Sequence, residues 1–589
     1  MKKLSLEIVS PALRLPVCEG EGLAEKIEEA GIPLSTYCRK RGVCGKCFVE
    51  IVRGDIPPPT EKEALLIRQK KMPARSRLSC LYKIRGSLAV KIPRGSLFRE
   101  TNILTTGQRM SVVVNPPVKK YFLEVPSPRI LNPASALELV EEGLKRKGLR
   151  VPLPLLKKLP ALLQETQGQL TAVIFGEEEI LALEPGDTTD KNYGIAVDLG
   201  TTTVVVELVD LQTGATVDLA TALNSQSRFG SDVVSRISHA FLSDQNLEDL
   251  RLSIVQQLNG LIHELGERNH IPKRSLYEVV VAGNTTMNHL LLGLPVKTLA
   301  VAPFNAVFSS LDEFLATELG LELNEQAKAF IVPNIKSFVG GDISAGILAS
   351  DLARRPGNFI FVDLGTNGEI VLKKGKSLWT TSTAAGPAFE GMNISSGMLA
   401  LPGAIYKAEF GKKLDVFTIG DRAPIGICGT GLIDLLALFK KKGDITPQGK
   451  IVPESRILPV TEGVTITQKD VREVQLAIAA VKTGVRMMLE KGGLSPEDLD
   501  GILIAGAFGN YLNVRNSQAI GLLPAIARKK IVFIGNASLS GAKELLLSSP
   551  SRRFLKKMIK SVTHVSLASD PEFQKKFIES LEFPEADPR

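Results

Sequence analysis

The chain has 589 residues, with 72 Lys and Arg against 63 Asp and Glu. At roughly 150 residues per domain, that length holds about three or four domains. Hydrophobic residues are 44% and charged residues 23%, an ordinary globular composition that excludes a disordered chain. The charge is uneven. Residues 1–100 carry 20 Lys and Arg against 11 Asp and Glu, while residues 101–589 carry 52 of each. The whole net excess of +9 therefore lies in the first hundred residues, which marks a separate N-terminal module. A basic module fits nucleic acid, a solvated face, or docking onto an acidic protein. Aromatic residues are only 5% of the chain, with one Trp, so few rings are available to stack on bases.

No apolar run approaches the ~18 residues needed to span a bilayer. Glu7 and Arg14 interrupt any signal-peptide core, and Pro16 and Val17 fit a lipoprotein box at Cys18 poorly. The reading is a soluble cytoplasmic protein with no membrane partner.

Six cysteines in such a chain are too few for a secreted disulfide scaffold. Five fall in the first 80 residues, and four form a pattern: Cys38-Arg-Lys-Arg-Gly-Val-Cys44-Gly-Lys-Cys47, then Cys80. Plant-type [2Fe–2S] ferredoxins use C-x4-C-x2-C and a distant fourth Cys. One extra residue in the first gap resembles the adrenodoxin-like variant. Four thiolates must converge on two irons, and Gly42 and Gly45 let the loop turn tightly around them. The alternative is a structural four-cysteine zinc site, although such sites usually show two CxxC knuckles and Cys80 stands alone. Cys18 and Cys428 read as ordinary buried thiols. Residues 3–9, 47–52 and 88–92 read as strands and 22–30 as a helix. The expectation is a β-grasp ferredoxin-like domain over 1–95.

Residues 96–125 read as a linker and 126–190 as a small middle domain of spacer or dimerisation type. Helical periodicity covers 134–148 and 154–167, followed by a strand at 170–175. From residue 191 the character changes. Gly194-Ile-Ala-Val-Asp198-Leu-Gly200-Thr201-Thr202-Thr203 is a buried strand running into a small-residue turn and a second strand. The unit returns as Phe359-Ile-Phe-Val-Asp363-Leu-Gly365-Thr366-Asn367-Gly368-Glu369. In each copy an Asp ends a strand, and the N–H and hydroxyl groups of the turn can cradle phosphate oxygens. The two Asp side chains can hold Mg²⁺ through its water shell, with Asp342 and Glu369 as neighbours. Gly501-Ile-Leu-Ile-Ala-Gly506-Ala-Phe-Gly509 adds a strand ending in a Gly turn, suited to a purine ring. A helix with small packing residues is expected from Gly340 onward. The five histidines, scattered without ligand spacing, read as structural or surface groups.

This order of elements resembles the acetate kinase, sugar kinase, heat-shock chaperone and actin superfamily of ATPases. The resemblance implies a multi-domain α+β and α/β protein whose residues 191–589 form a duplicated actin-like fold of two subdomains. It places Asp198, Gly200, Thr201 and Thr202 on phosphate 1. Asp363, Gly365, Thr366 and Asn367 fall on phosphate 2, and Gly506 and Gly509 on adenosine. The full domain order is similar to the reductive activators of corrinoid proteins, which couple ATP hydrolysis to reduction of an inactivated corrinoid. Further stretches fit that family: Asn224 to Arg236, Ala282 to His289, Ser382 to Gly391, Gly426 to Gly431 and Gly535 to Gly541. The implied cofactors are a [2Fe–2S] cluster, ATP and Mg²⁺. The implied partners are a corrinoid protein and a low-potential electron donor, with no nucleic acid. Two other readings remain: an ATP-dependent phosphotransferase with a redox-sensing module, and a nucleotide-switched binding module. The loop from Gly386 to Gly391 reads as a hinge or a partner contact.

Overall fold

A computed structural model describes the chain except residues 1–3, 10–12, 31, 33, 35–41, 43–46, 69–71, 94–95, 97–112, 126–133, 412, 507–511, 568–569 and 586–589. The N-terminal unit is a five-stranded sheet in the spatial order Leu13–Val17, Leu4–Ile8, Leu88–Lys91, Phe48–Arg53, Ser76–Leu78. Leu4–Ile8 pairs antiparallel with Leu13–Val17 and parallel with Leu88–Lys91. The helix Leu23–Glu29 buries Leu23, Ala24 and Ile27 in the same core as Leu6, Ile8, Val49 and Val90. This is the β-grasp arrangement expected from the strand pattern.

The middle unit begins earlier than its helical periodicity indicates. Val118–Glu124, read from sequence as the end of the linker, pairs antiparallel with Gln169–Phe175, which pairs with Glu179–Pro185. The helices Ala136–Leu144 and Leu153–Glu165 cover one face through Leu139, Val140 and Leu159. The other face, with Val118, Val173 and Leu181, joins the core of the next unit. Polar contacts fix this docking. Lys120 pairs with Glu184 at 2.5 Å, Tyr277 donates to Glu184, and Asn192 Nδ2 donates to the Val118 carbonyl at 3.1 Å.

The remainder is a duplicated sheet. The first lobe has the order Thr216–Leu223, Thr203–Asp210, Tyr193–Leu199, Leu276–Gly283, Lys328–Ile331, Phe314–Leu315. The second has Ser377–Thr383, Gly368–Lys374, Asn358–Leu364, Gly501–Gly506, Ile531–Gly535, with Val562–His564 added beside Ser377–Thr383. In each lobe an antiparallel hairpin leads into parallel strands. Continuous apolar strands such as Ile195, Ala196 and Val197 are buried on both faces, as parallel sheets require. The helices Gly341–Ala349 and Ala537–Leu547 cross between the lobes. A Cβ on Gly541 would lie 2.2 Å from the Ala345 carbonyl oxygen, so glycine sets their close approach. Among the described residues, no helix is long and apolar enough to cross a membrane.

Candidate functional site

Both Asp hairpins open onto one cavity of about 430 Å³ between the lobes. Asp198 and Asp363 end their strands, and the turns Gly200–Thr203 and Gly365–Asn367 line the same space. Asp342 and Glu369 line it too. Of the adenosine pair, Gly506 lies in the lining, and Gly509 falls outside the described residues. Gly506 has φ +98°, and a Cβ there would sit 2.7 Å from Asp363 Oδ1. At this position glycine supplies both the conformation and the space. A Cβ on Gly365 would meet nothing closer than 3.8 Å, so the turn leaves room on its cavity side.

The carboxylates are crowded. All four residues line the cavity and are otherwise enclosed by protein. Asn536 Nδ2 donates to Asp198 Oδ2 at 2.8 Å and Ser538 Oγ to Asp198 Oδ1 at 2.7 Å. Desolvation nevertheless raises the Asp198 carboxyl above its usual range. Desolvation, then the negative charge of Asp342 and Asp198, pushes Asp363 up to about 8. Desolvation, with the Asp198 charge added, pushes Asp342 up to about 7. Glu369 rises for the same reasons. Among the described residues, no Lys or Arg pairs with these four groups. Three aspartates without a basic partner, facing open space, are an oxygen donor set that fits a hard divalent cation.

The opposite charge comes from backbone. Four helices start at the cavity: Thr285–Leu292, Gly341–Ala349, Gly429–Lys442 and Ala537–Leu547. Their N-termini present partial positive charge, the arrangement that binds phosphate. An apolar stretch of the lining carries Met398, Leu401, Phe389 and Ile419 beside Tyr406, with Thr418 and Asp421 next to it. The cavity thus has an ionic floor and an apolar wall, as a nucleotide demands.

Second-layer contacts fix the first hairpin. Asn284, capping Thr285–Leu292, donates to Thr201 Oγ1 at 3.0 Å, and Asn224 Nδ2 donates to the Gly200 carbonyl at 2.8 Å. Arg236, fully buried, donates to the Thr201 carbonyl at 2.6 Å. Burial pushes its guanidinium down to about 10. His289 is a packing residue. Its Nδ1 lies 2.6 Å from the Thr285 carbonyl, its Nε2 accepts from the Val307 N–H, and its ring stacks on Phe308. Glu390, in the loop read from sequence as a hinge or a partner contact, enters the cavity from the turn Pro387–Glu390 and accepts from both Thr202 and Thr366, a role the sequence reading did not assign.

In the N-terminal unit, Phe48 pairs with Leu78, so Cys47 and Cys80 follow from neighbouring strand ends. The Ser79 N–H and hydroxyl both donate to the Cys47 carbonyl, at 3.0 and 2.7 Å. Leu66, Met72 and Leu81 pack around the two cysteines. A thiol pair in an apolar shell fits a shielded cluster. Cys38 and Cys44 lie outside the described residues, as do Arg39, Lys40, Arg41 and Lys46.

Comparison with known proteins finds matches over most of the chain. Residues 9–85 match the 2Fe-2S iron-sulfur cluster binding domain, 107–190 the RACo linker region, 193–355 the RACo middle region, and 357–589 the C-terminal domain of RACo, the ASKHA domain. The corrinoid activation enzyme RamQ of Eubacterium limosum is 32% identical over 585 residues, covering 94% of each chain. The [Co(II) methylated amine-specific corrinoid protein] reductase of Methanosarcina barkeri is 30% identical over 431 residues, covering 66% of this chain and 77% of that one. The solved structure of a reductive activator for corrinoid, iron-sulfur protein superposes with a TM-score of 0.76 at 32% identity, covering 99% of this chain and 98% of that one. With a ferredoxin-type unit, a two-lobed nucleotide cleft and this near-complete likeness, the chain belongs to the family of reductive activators of corrinoid proteins.

Proposed function

We infer that this protein uses ATP hydrolysis to reactivate a corrinoid protein, delivering one electron that converts Co(II) to Co(I) for methyl transfer. The observation that carries this is the conjunction, in one chain, of a ferredoxin fold and a cleft where two Asp hairpins face each other across about 430 Å³. The near-full-length likeness to corrinoid activators supports the choice of partner.

The triphosphate would lie between Gly200, Thr201 and Thr202 on one side and Gly365, Thr366 and Asn367 on the other. Gly506 and Gly509 would receive the adenosine. Asp198, Asp342 and Asp363 would hold Mg²⁺, which supplies charge neutralisation to the phosphates. Asp198 and Asp363 then orient the hydrolytic water. Cys38, Cys44, Cys47 and Cys80 would hold the [2Fe–2S] cluster, a one-electron carrier with a potential of about −400 mV in the plant-type class. An external low-potential donor must refill it. Forming Co(I) is uphill from that potential, so ATP acts through closure and opening of the lobes, which changes affinity for the partner. The middle unit, with both sheet faces covered, fits a spacer fixed to the first lobe.

The test is an anaerobic assay of Co(II)-to-Co(I) conversion on several corrinoid proteins, with and without ATP. ATP-dependent reduction of at least one is expected. ATP consumption that tracks a small-molecule acceptor, with no corrinoid reduced, would sink the reading.

A further inference from the structure

The two phosphate-side hairpins come from different lobes, yet one side chain touches both. Glu390 Oε1 accepts from Thr366 Oγ1 at 2.8 Å, and Oε2 accepts from Thr202 Oγ1. Thr366 belongs to the hairpin of Glu390's own lobe. Thr202 belongs to the other lobe, 188 residues away. The bridge therefore spans the cleft at its phosphate end.

Three features make Glu390 more than a chance contact. Its turn is pinned: Gly391 has φ +74°, and a Cβ there would lie 2.5 Å from the Met398 carbonyl oxygen. Its charge has no ion pair among the described residues. Arg236, the nearest cation in its field, is spent on the Thr201 carbonyl at 2.6 Å. The Thr201–Thr202 segment is thus gripped from two sides, guanidinium on one carbonyl and carboxylate on the next hydroxyl. Finally, a carboxylate accepts from both hydroxyls with one oxygen each, whereas a glutamine in the same pose must turn its NH₂ toward one threonine and reverse that hydrogen bond.

We propose that Glu390 is a positioning residue for ATP hydrolysis, holding the Thr202 and Thr366 hydroxyls at a fixed separation so that the two phosphate loops close on the triphosphate as one unit. This rests on reading the cleft as an ATP site. Glu390 fixes geometry that matters most when the transferring phosphoryl group carries its greatest charge, so its loss falls on turnover more than on binding.

The test uses the full-length holoprotein. Glu390→Gln, Glu390→Asp, Thr366→Val and the Glu390→Gln/Thr366→Val double variant are compared for ATPase kcat, for affinity toward a non-hydrolysable ATP analogue, and for thermal midpoint. Glu390→Gln should lower kcat by roughly tenfold or more while analogue affinity stays within about threefold. Glu390→Asp should recover part of kcat. The double variant should be no slower than the slower single variant, because both break one bridge. Unchanged kcat, additive losses, or a matching collapse of affinity and thermal midpoint would overturn the proposal. If the parent protein binds no analogue, the cleft reading itself fails and the proposal falls with it.

Discussion

Asp198, at the strand end of the first lobe, accepts a hydrogen bond of 2.7 Å from Ser538, in the first turn of the helix Ala537–Leu547. Asn536, the cap of the same helix, holds the other oxygen at 2.8 Å. This cleft-lining carboxylate is therefore aimed by a helix that follows the strand Ile531–Gly535 of the second lobe. A hydrogen bond to a charged group is worth about 1.5–3 kcal/mol. Ser538→Ala should lower ATP turnover by roughly tenfold to a hundredfold if most of that orientation is lost. The cluster spectrum should not change. Wild-type turnover in this variant would show that Asp198 needs no such support.

Asp363 lies among like charges and has no basic partner among the described residues. Proteins retain such strain where function needs it, at a cost in stability. Asp363→Asn keeps the shape and removes a carboxyl whose ionisation burial and the neighbouring carboxylates oppose. In protein stripped of divalent cation, it should raise the chemical denaturation midpoint, with a gain on the order of 1 kcal/mol or more. The same variant should lose ATP-dependent corrinoid reduction. A lower midpoint, or retained activity, would contradict the role given to this carboxylate.

Divalent cation should raise stability as well, by occupying the site instead of removing a carboxylate from it. Mg²⁺ bound by the folded state alone raises stability by about 2.7 kcal/mol at a hundredfold excess over its dissociation constant. Asp342→Asn should weaken this cation-induced stabilisation without disturbing the [2Fe–2S] spectrum. Calorimetric scans at several Mg²⁺ concentrations read the effect directly, and scans that do not move with Mg²⁺ in the parent protein would remove the cation from the cleft.

The cluster and the cleft are separable. Cys47→Ser or Cys80→Ser should abolish the visible [2Fe–2S] spectrum and corrinoid reduction. ATPase activity should remain, since neither thiol touches the cavity. Zinc found in place of iron in anaerobically purified protein would contradict the electron-transfer role. The basic excess sharpens this prediction. All of the net +9 sits in the first hundred residues, with Arg39, Lys40, Arg41 and Lys46 in the cluster loop. Steered docking on an acidic partner predicts electron-transfer rates that fall steeply with ionic strength. A rate insensitive to salt would return those charges to solvated surface.

The hairpins were legible because their signal is local: a buried strand, an Asp, a small-residue turn and a second strand, written twice. The strand Leu13–Val17 was not, because Pro16 lies within it. That proline is tolerated at the sheet edge, where one row of N–H groups is unpaired. Val118–Glu124 was hidden by Lys119 and Lys120, which break an apolar run. Lys120 is nonetheless buried, because Glu184 waits for its ammonium. Glu390 lies in the loop read as a hinge or a partner contact, and its bridging role has no local signal, since one of its two partners, Thr202, is 188 residues away. Contacts between lobes arise only from the fold, and these are the contacts that couple the site.

One coupling route runs out of the cleft. The helix Ala537–Leu547 starts at Asp198 through Asn536 and Ser538 and spans 11 residues, about 16 Å at 1.5 Å per residue. At its far end the Leu547 carbonyl accepts from the Asn115 N–H at 2.8 Å, and the Ser549 N–H donates to the Asn115 carbonyl at 3.0 Å. Asn115 belongs to the segment that joins the ferredoxin unit to the rest of the chain. One rigid element therefore touches both the cleft carboxylate and the tether of the electron carrier. Asn115→Pro removes the donor to Leu547 and leaves every cleft residue in place. ATP hydrolysis should stay within about twofold of the parent, while ATP-dependent corrinoid reduction should fall by roughly tenfold if the helix transmits lobe closure. Equal retention of both activities would show that the Asn115–Leu547 hydrogen bond does not carry the signal, since proline removes that donor and keeps the carbonyl that accepts from Ser549.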